Sequence, residues 1–336
     1  MSWLAASSWL PAALLAAGLS WLAVGMLRRH AVQKGIVALP GARQSHDHPV
    51  PTGGGLGLVA AICLVSLISA ALGGLPVHWV GGVLPGMAIL SVMGWMDDSH
   101  FLGRLPRLLV QFVVSLSLVT WLASGPQAWS VGWVLLVGTG LVWVMNMYNF
   151  MDGSHGMAGF QGVFAGLVSA VLLAHAAQPE LALAALVVAA ACAGFLPWNF
   201  PRPRIFLGDA GSVPLGFGLG ALLLLGVRAG ALEPMVAFAI LSLFLVDSTL
   251  TLLVRVIRGE RWYTAHKQHL YQRLIAHGWT HGRVLALYQA VNMLVVTPAI
   301  VLALMYPKYA WPITGLLALV LAAAWRIASL RLEVQK

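Results

Sequence analysis

Eleven apolar stretches, each about 17–25 residues long, recur from one end of this 336-residue chain to the other. Helices of that length cross the hydrocarbon core of a bilayer at 1.5 Å per residue, and open sheet edges cannot be satisfied in lipid. The stretches predict transmembrane helices over 3–27, 54–75, 80–96, 105–123, 129–146, 156–176, 180–197, 212–229, 234–256, 284–305 and 311–329. Composition agrees, since only 9% of the residues are charged, against roughly 25% in a soluble domain. The first stretch lacks a basic leading region and reads as a retained helix rather than a cleaved signal. The expectation is an all-α polytopic membrane protein, one domain over 1–336.

The loops between these spans fall on two sides. One side takes 28–53, 97–104, 147–155, 198–211, 257–283 and the C-terminal tail. With the flanking Arg107, Arg255 and Arg326 it carries 17 of the 19 Lys and Arg, leaving Arg228 and Lys308 opposite. By the positive-inside rule that side is cytoplasmic, which puts the N-terminus in the periplasm and the C-terminus in the cytoplasm. The same bias accounts for the net charge of +9 without any nucleic-acid partner. Nine of eleven His and seven of ten carboxylates share that side, so the chemistry is expected there. Cys63 and Cys192 lie within apolar runs and read as small buried hydrophobes.

Five polar clusters stand out. Arg43-Gln-Ser-His-Asp-His-Pro-Val-Pro-Thr-Gly-Gly-Gly55 ends at a span, where Thr52, Gly53 and the glycine amides could cradle an anion. It lacks the Walker spacing, and a plain flexible connector is the alternative. Asp97-Asp98 closes the third span, where two adjacent carboxylates oppose the helix dipole and call for a cation or a proton. Asn146-Met-Tyr-Asn-Phe-Met-Asp-Gly153 follows an uncharged run and brings Asn146, Asn149 and Asp152 together, with Gly153 allowing a turn. Phe206-Leu-Gly-Asp-Ala-Gly-Ser212 sets Asp209 just before a span, where helix capping is the alternative. His266-Lys-Gln-His269, with Arg273, reads as a phosphate-binding patch more than a zinc pair. Asp247, deep in the ninth span, is either functional or paired with a neighbouring helix. Acids and amides at one membrane face form a hard-oxygen donor set suited to Mg²⁺, with Mn²⁺ as a substitute.

In this order the motifs resemble those of the polyprenyl-phosphate N-acetylhexosamine-1-phosphate transferases, glycosyltransferase family 4. Arg-x-Ser-His, Tyr-Asn-Phe-Met-Asp-Gly and Ala-His-x-x-His-x-Tyr-Gln272 are most similar to the O-antigen-initiating branch. The resemblance spans about 43–273 and implies transfer of a sugar-1-phosphate from a UDP-N-acetylhexosamine to undecaprenyl phosphate, at the bacterial inner membrane, with release of UMP. It implies Asp209 as the main Mg²⁺ ligand, with Asp152, and Phe206 stacked on uracil. Asn149 and Asp152, with Asn146 and His155, would line the nucleotide, and Thr52, Gly53, His266, His269 and Arg273 the phosphates or sugar. Asp97 and Asp98 would serve the polyprenyl phosphate or the metal, one of them as base. A second copy of the chain is a further candidate partner.

Two departures stand against that pattern. The family repeats its acid as Asp-Gly-x-Asp-Gly, whereas this chain has His155 at the second position. The peptidoglycan branch has a Lys soon after the paired acids, a charge that Arg104 or Arg107 would supply here. The rival readings are a transporter or flippase of an anionic lipid-linked substrate, and a lipid diphosphate phosphatase. The sugar is not legible, although the branch resemblance leans toward a 6-deoxy N-acetylhexosamine such as FucNAc or QuiNAc over GlcNAc.

Overall fold

The computed structural model describes residues 9–35, 37–38, 49–100, 102–124, 128–261, 263–264 and 266–334. Among them eleven helical stretches are long and apolar enough to cross a membrane, so the chain is an all-α multi-pass membrane protein. In order the elements are α1 (Trp9–Lys34), a two-stranded antiparallel ribbon β1 (Val37–Ala38) and β2 (Val50–Pro51), and α2 (Gly54–Ala71). Next come α3 (Leu84–His100, entered through a π-turn over Trp79–Val83), α4 (Arg104–Ala123), α5 (Val131–Met151), α6 (Met157–His175) and α7 (Pro179–Asn199). The remainder is α8 (Asp209–Arg228), α9 (Pro234–Ile257), a short α10 (Leu270–Ala276), α11 (His281–Val291), α12 (Thr297–Met305) and α13 (Ala310–Val334). The ribbon, with Val37 opposite Pro51, was not anticipated from the sequence. The Arg43-to-His48 part of the first motif lies outside the described residues.

Three boundaries move in a way that matters. α1 runs on to Lys34, so Arg28 and Arg29 ride on the helix rather than in a loop. α5 continues to Met151, which makes Asn146 and Asn149 helical. α8 begins at Asp209, which therefore occupies its first turn. Asn146, Asn149 and Asp209 are held in their helices by side-chain bonds to neighbouring elements.

α8 is the almost wholly buried centre of the bundle. Its close neighbours are held there by missing side chains. Gly55 of α2 and Gly211 of α8 abut backbone to backbone, and Gly94 of α3 presses on the Asp209 carbonyl, so a Cβ at any of them would collide. Ser91 Oγ donates to Ala210 O at 2.6 Å, tying α3 to the same turn. Around this centre α1 packs on α7, where Trp198 Nε1 donates to Trp21 O at 2.9 Å. Asn292, in a π-turn linking α11 to α12, donates to Gln161 Oε1 of α6 at 2.8 Å. Leu64, Val113, Leu136 and Val171 stay exposed on the rim, as lipid-facing residues do.

Asp247 turns out to be a fastener. The carboxylate, 3% exposed, accepts from Tyr288 Oη at 2.6 Å, Leu270 N at 2.9 Å, Trp325 Nε1 at 3.0 Å and Thr251 Oγ1 at 3.3 Å. One side chain thus joins α9, α10, α11 and α13. Asp247→Asn puts an amide N–H₂ against at least one of these donors, and leaving a buried donor unpaired costs about 1–3 kcal/mol. The expected result is a clearly lower unfolding midpoint of the purified protein, with faster hydrogen exchange over 266–276. A wild-type midpoint would show that the hub carries no stability.

Candidate active site

Four helix ends meet at one point. Asp209, on the first turn of α8, accepts from Arg107 Nη1 at 2.7 Å through Oδ2 and from Asn149 Nδ2 at 2.8 Å through Oδ1. The same Arg107 nitrogen pairs with Asp97 Oδ2. One guanidinium nitrogen of α4 therefore links α3 to α8. Asp97 is fixed from its other side by Leu102 N at 2.6 Å. Asn149 also donates to Ser212 Oγ at 2.8 Å, one turn further along α8. Of the two cations open on sequence grounds, Arg107 occupies this position, whereas the Arg104 guanidinium lies 5.6 Å from the centre of the Tyr263 ring.

Asp98 faces the start of α8 instead. Its Oδ1 accepts from Asp209 N at 3.2 Å and its Oδ2 from Ala210 N at 3.4 Å. A carboxylate beside the first amides of a helix satisfies orphan donors and meets the positive end of the dipole. Every oxygen of Asp97, Asp98 and Asp209 thus already accepts a hydrogen bond. Asp152, just past the end of α5, completes the group. Burial, helped by the Asp209 and Asp98 carboxylates, holds its carboxyl well above the usual range. Arg107 pairs with two of these four carboxylates, Asp97 and Asp209, and the negative charge gathered here suits a divalent cation or a proton.

Those residues fit Mg²⁺. The donors are all hard oxygens, with Asp209 and Asp152 able to contribute carboxylates. Among the described residues no three acidic or His/Cys side chains stand at ligand spacing. Mg²⁺ rarely needs such a cage, since it takes one or two carboxylates, several waters and substrate phosphates.

The glycines do not form the anticipated anion cradle. Gly54 N donates to Phe206 O at 2.9 Å and Gly55 N to Leu207 O at 2.8 Å, while Phe206 N donates to Pro51 O at 2.8 Å. These amides are spent on joining the two loops, because a buried N–H takes the nearest carbonyl. Gly53, at φ +89°, makes the turn into α2. Thr52 remains at the rim, since a Cβ added to Gly208 would lie 2.8 Å from Thr52 Oγ1 and against Asp98 Oδ2 as well. Gly153 has no positive φ. A side chain there would strike the Tyr271 hydroxyl, which donates to Phe150 O at 2.9 Å, so close approach rather than turning freedom requires it.

On the other flank lies an aromatic wall. The His155 and His281 rings stack face to face, 3.7 Å between centroids and 6° between planes, and Phe206 lies 6.4 Å from His155. Ser154 Oγ and His281 Nδ1 are 2.9 Å apart. His281 was missed in sequence, where nothing local separates it from any helix-starting polar residue. Asn146 was expected beside Asn149, but its amide donates to Gln111 Oε1 at 2.8 Å and Val142 O at 2.7 Å, and so fastens α5 to α4.

His266 and His269 stand together, their ring centroids 4.8 Å apart. Burial, then the neighbouring His269 and Arg255, presses the His266 pKa down to about 3. Burial and Arg255 also lower that of His269, against an opposing pull from Asp247. Both shifts favour the neutral ring, so positive charge in this segment comes from its Lys and Arg rather than from the two histidines. Arg273 does not join them. Its guanidinium donates to Ser329 O at 2.7 Å and approaches Glu333 at 3.9 Å, so it points to α13.

Residues 80–227 match the family model described as Glycosyl transferase family 4. The chain is 31% identical to the decaprenyl-phosphate N-acetylglucosaminephosphotransferase of Mycolicibacterium smegmatis, over 84% of this chain and 79% of that protein. It is 28% identical to the probable undecaprenyl-phosphate N-acetylglucosaminyl 1-phosphate transferase of Bacillus subtilis, over 82% and 80%. It is 32% identical to a phospho-N-acetylmuramoyl-pentapeptide-transferase of Synechococcus, over 75% and 79%.

Proposed function

Because the chain belongs to glycosyltransferase family 4, the polyprenyl-phosphate hexosamine-1-phosphate transferases, we propose that it moves N-acetylhexosamine-1-phosphate from a UDP-sugar to undecaprenyl phosphate. UMP leaves, and the product is the first lipid-linked intermediate of an envelope glycan such as O-antigen. The observation that carries this reading is the meeting of Asp97 and Asp209 at one Arg107 nitrogen, with Asn149 holding the other oxygen of Asp209. Three separated sequence motifs supply those groups, and all stand at helix ends, where a nucleotide in water can meet a phosphate whose tail stays in lipid.

The nucleophile is already a phosphate oxyanion, so the protein's task is to align two anions and offset their repulsion. Arg107 contributes fixed positive charge between the acids. Asp98, reaching across from the end of α3, orders the first turn of α8 and so aims Asp209. Asp209 and Asp152 would hold Mg²⁺, which when bound supplies charge neutralisation at the diphosphate. Phe206, with the His155–His281 stack, offers a flat face for uracil, and His155 replaces a family acceptor with a ring. Neutral His266 and His269 would donate to diphosphate or sugar oxygens from one tautomer each. No general base is required, because a phosphate monoester is largely ionised near neutrality. The positive-inside bias supports a cytoplasmic site in a bacterial inner membrane.

A transporter would place polar groups near the midplane. Asp247, the one acid in the middle of a spanning helix among the described residues, is taken up by its four structural bonds, which favours the enzyme. The test uses purified protein with undecaprenyl phosphate, Mg²⁺ and UDP-GlcNAc, UDP-FucNAc or UDP-QuiNAc in turn. UMP and a lipid-linked sugar should appear with at least one donor and stop when EDTA is added. No product with any of them would overturn the reading.

A further inference from the structure

The displaced Arg273 leads to a second anionic site. We propose that the cleft between the end of α9 and α13 binds the headgroup of an anionic phospholipid in the leaflet on the active-site side. A cavity of about 270 Å³ opens there. Arg258, Lys267, Arg273 and Arg326 line it against a single carboxylate, Glu333. Arg258 donates to Glu333 Oε1 at 3.1 Å and Arg273 stands 3.9 Å from the same oxygen. One carboxylate thus serves several cations, and these five side chains keep a formal excess of three positive charges. Like charges gathered in one cleft repel each other, and an anion of the right size relieves that repulsion.

The surroundings favour a lipid over a soluble anion. Ile257 and Leu330, the chain neighbours of the lining residues Arg258 and Ser329, are 75% and 43% exposed. Exposed apolar surface therefore flanks the charged cleft on both helices, the arrangement that receives acyl chains below a headgroup. The cavity falls short of the 300–1,000 Å³ or so of a site for a drug-sized molecule, and a nucleotide-sugar needs at least that, whereas a phosphate with its glycerol needs less. The cleft is also separate from the catalytic carboxylates. It backs onto the loop that carries His266 and His269, since Lys267 and Gln268 line it. An occupied headgroup would therefore brace that loop against α13.

Native mass spectrometry of the full-length protein in detergent reads this directly, with phosphatidylglycerol and phosphatidylcholine titrated in parallel. Wild type should retain phosphatidylglycerol preferentially, and the double variant R258Q/R326Q should lose that preference by about thirtyfold, at about 1 kcal/mol for each of the two basic residues. Glu333→Gln, which removes the competing carboxylate, should bind it more tightly, a gain that misfolding does not produce. Equal retention of the two lipids, wild-type preference in R258Q/R326Q, or weaker binding in Glu333→Gln would each overturn the site. Complete displacement of the lipid by millimolar inorganic phosphate would overturn the assignment to a phospholipid.

Discussion

Asp209→Asn should abolish Mg²⁺-dependent UMP release, by about a thousandfold, while leaving the protein folded. The two sizes follow from different links. As a first-turn residue of α8, Asp209 stabilises the helix through the dipole by about 0.3–1 kcal/mol, and Asn keeps the shape and one acceptor oxygen. The unfolding midpoint should therefore move little. For catalysis the carboxylate is the group held by Arg107 and Asn149, and it is the strongest candidate Mg²⁺ ligand. Losing one preorganised charged group at a site of charge transfer typically costs 10²–10³-fold or more. Asp152→Asn should lose activity in the same assay, because its carboxyl lies within the field of Asp209 and Asp98. Near-normal UMP release in either variant, with wild-type stability, would remove these acids from the mechanism.

The spans were readable because length and hydropathy are local properties, and α2 to α9 sit close to where the apolar runs place them. The helix ends were not. Asn149 and Asp209 look like loop residues in one dimension, yet each is helical because it finds the other across 60 residues of sequence. The glycines of Thr52-Gly-Gly-Gly55 carry a signal for small size but not for its use. Whether Gly55 bares its amide to a ligand or its Cα to Gly211 depends on which helix crosses it. The basic-histidine segment divides for a similar reason. His266 and Arg273 are seven residues apart, but α10 begins between them, and Arg273 goes to α13 while the histidines face each other and His269 faces Phe150. Charge counted along the sequence cannot separate two sites that share a loop.

Arg107→Gln should reduce turnover by about 10²–10³-fold, and Arg107→Lys should recover most of that loss. The expectation rests on which atoms make the contacts. Arginine usually resists replacement because its planar fork makes two parallel bonds from two nitrogens. Here a single nitrogen, Nη1, meets both Asp97 Oδ2 and Asp209 Oδ2, and a lysine ammonium has three donors on one nitrogen. The side chain is 30% exposed, so the shorter lysine has room to adjust. In Arg107→Gln two acids lose their shared cation, and their mutual repulsion adds to that of the two phosphates. If a bound divalent cation took over the whole neutralising role, Arg107→Gln would be rescued by raising Mg²⁺ alone. If Arg107 acts on the substrates, saturating Mg²⁺ leaves the defect in place. The second outcome is expected, because Arg107 reaches Asp97 as well as Asp209 and so ties α3 to α8 in the arrangement the anions must enter. Turnover of Arg107→Gln within a few-fold of wild type at saturating Mg²⁺ would reduce this bridge to a structural contact. Equal losses in Arg107→Gln and Arg107→Lys would show that guanidinium geometry, rather than charge at one nitrogen, is what the site requires.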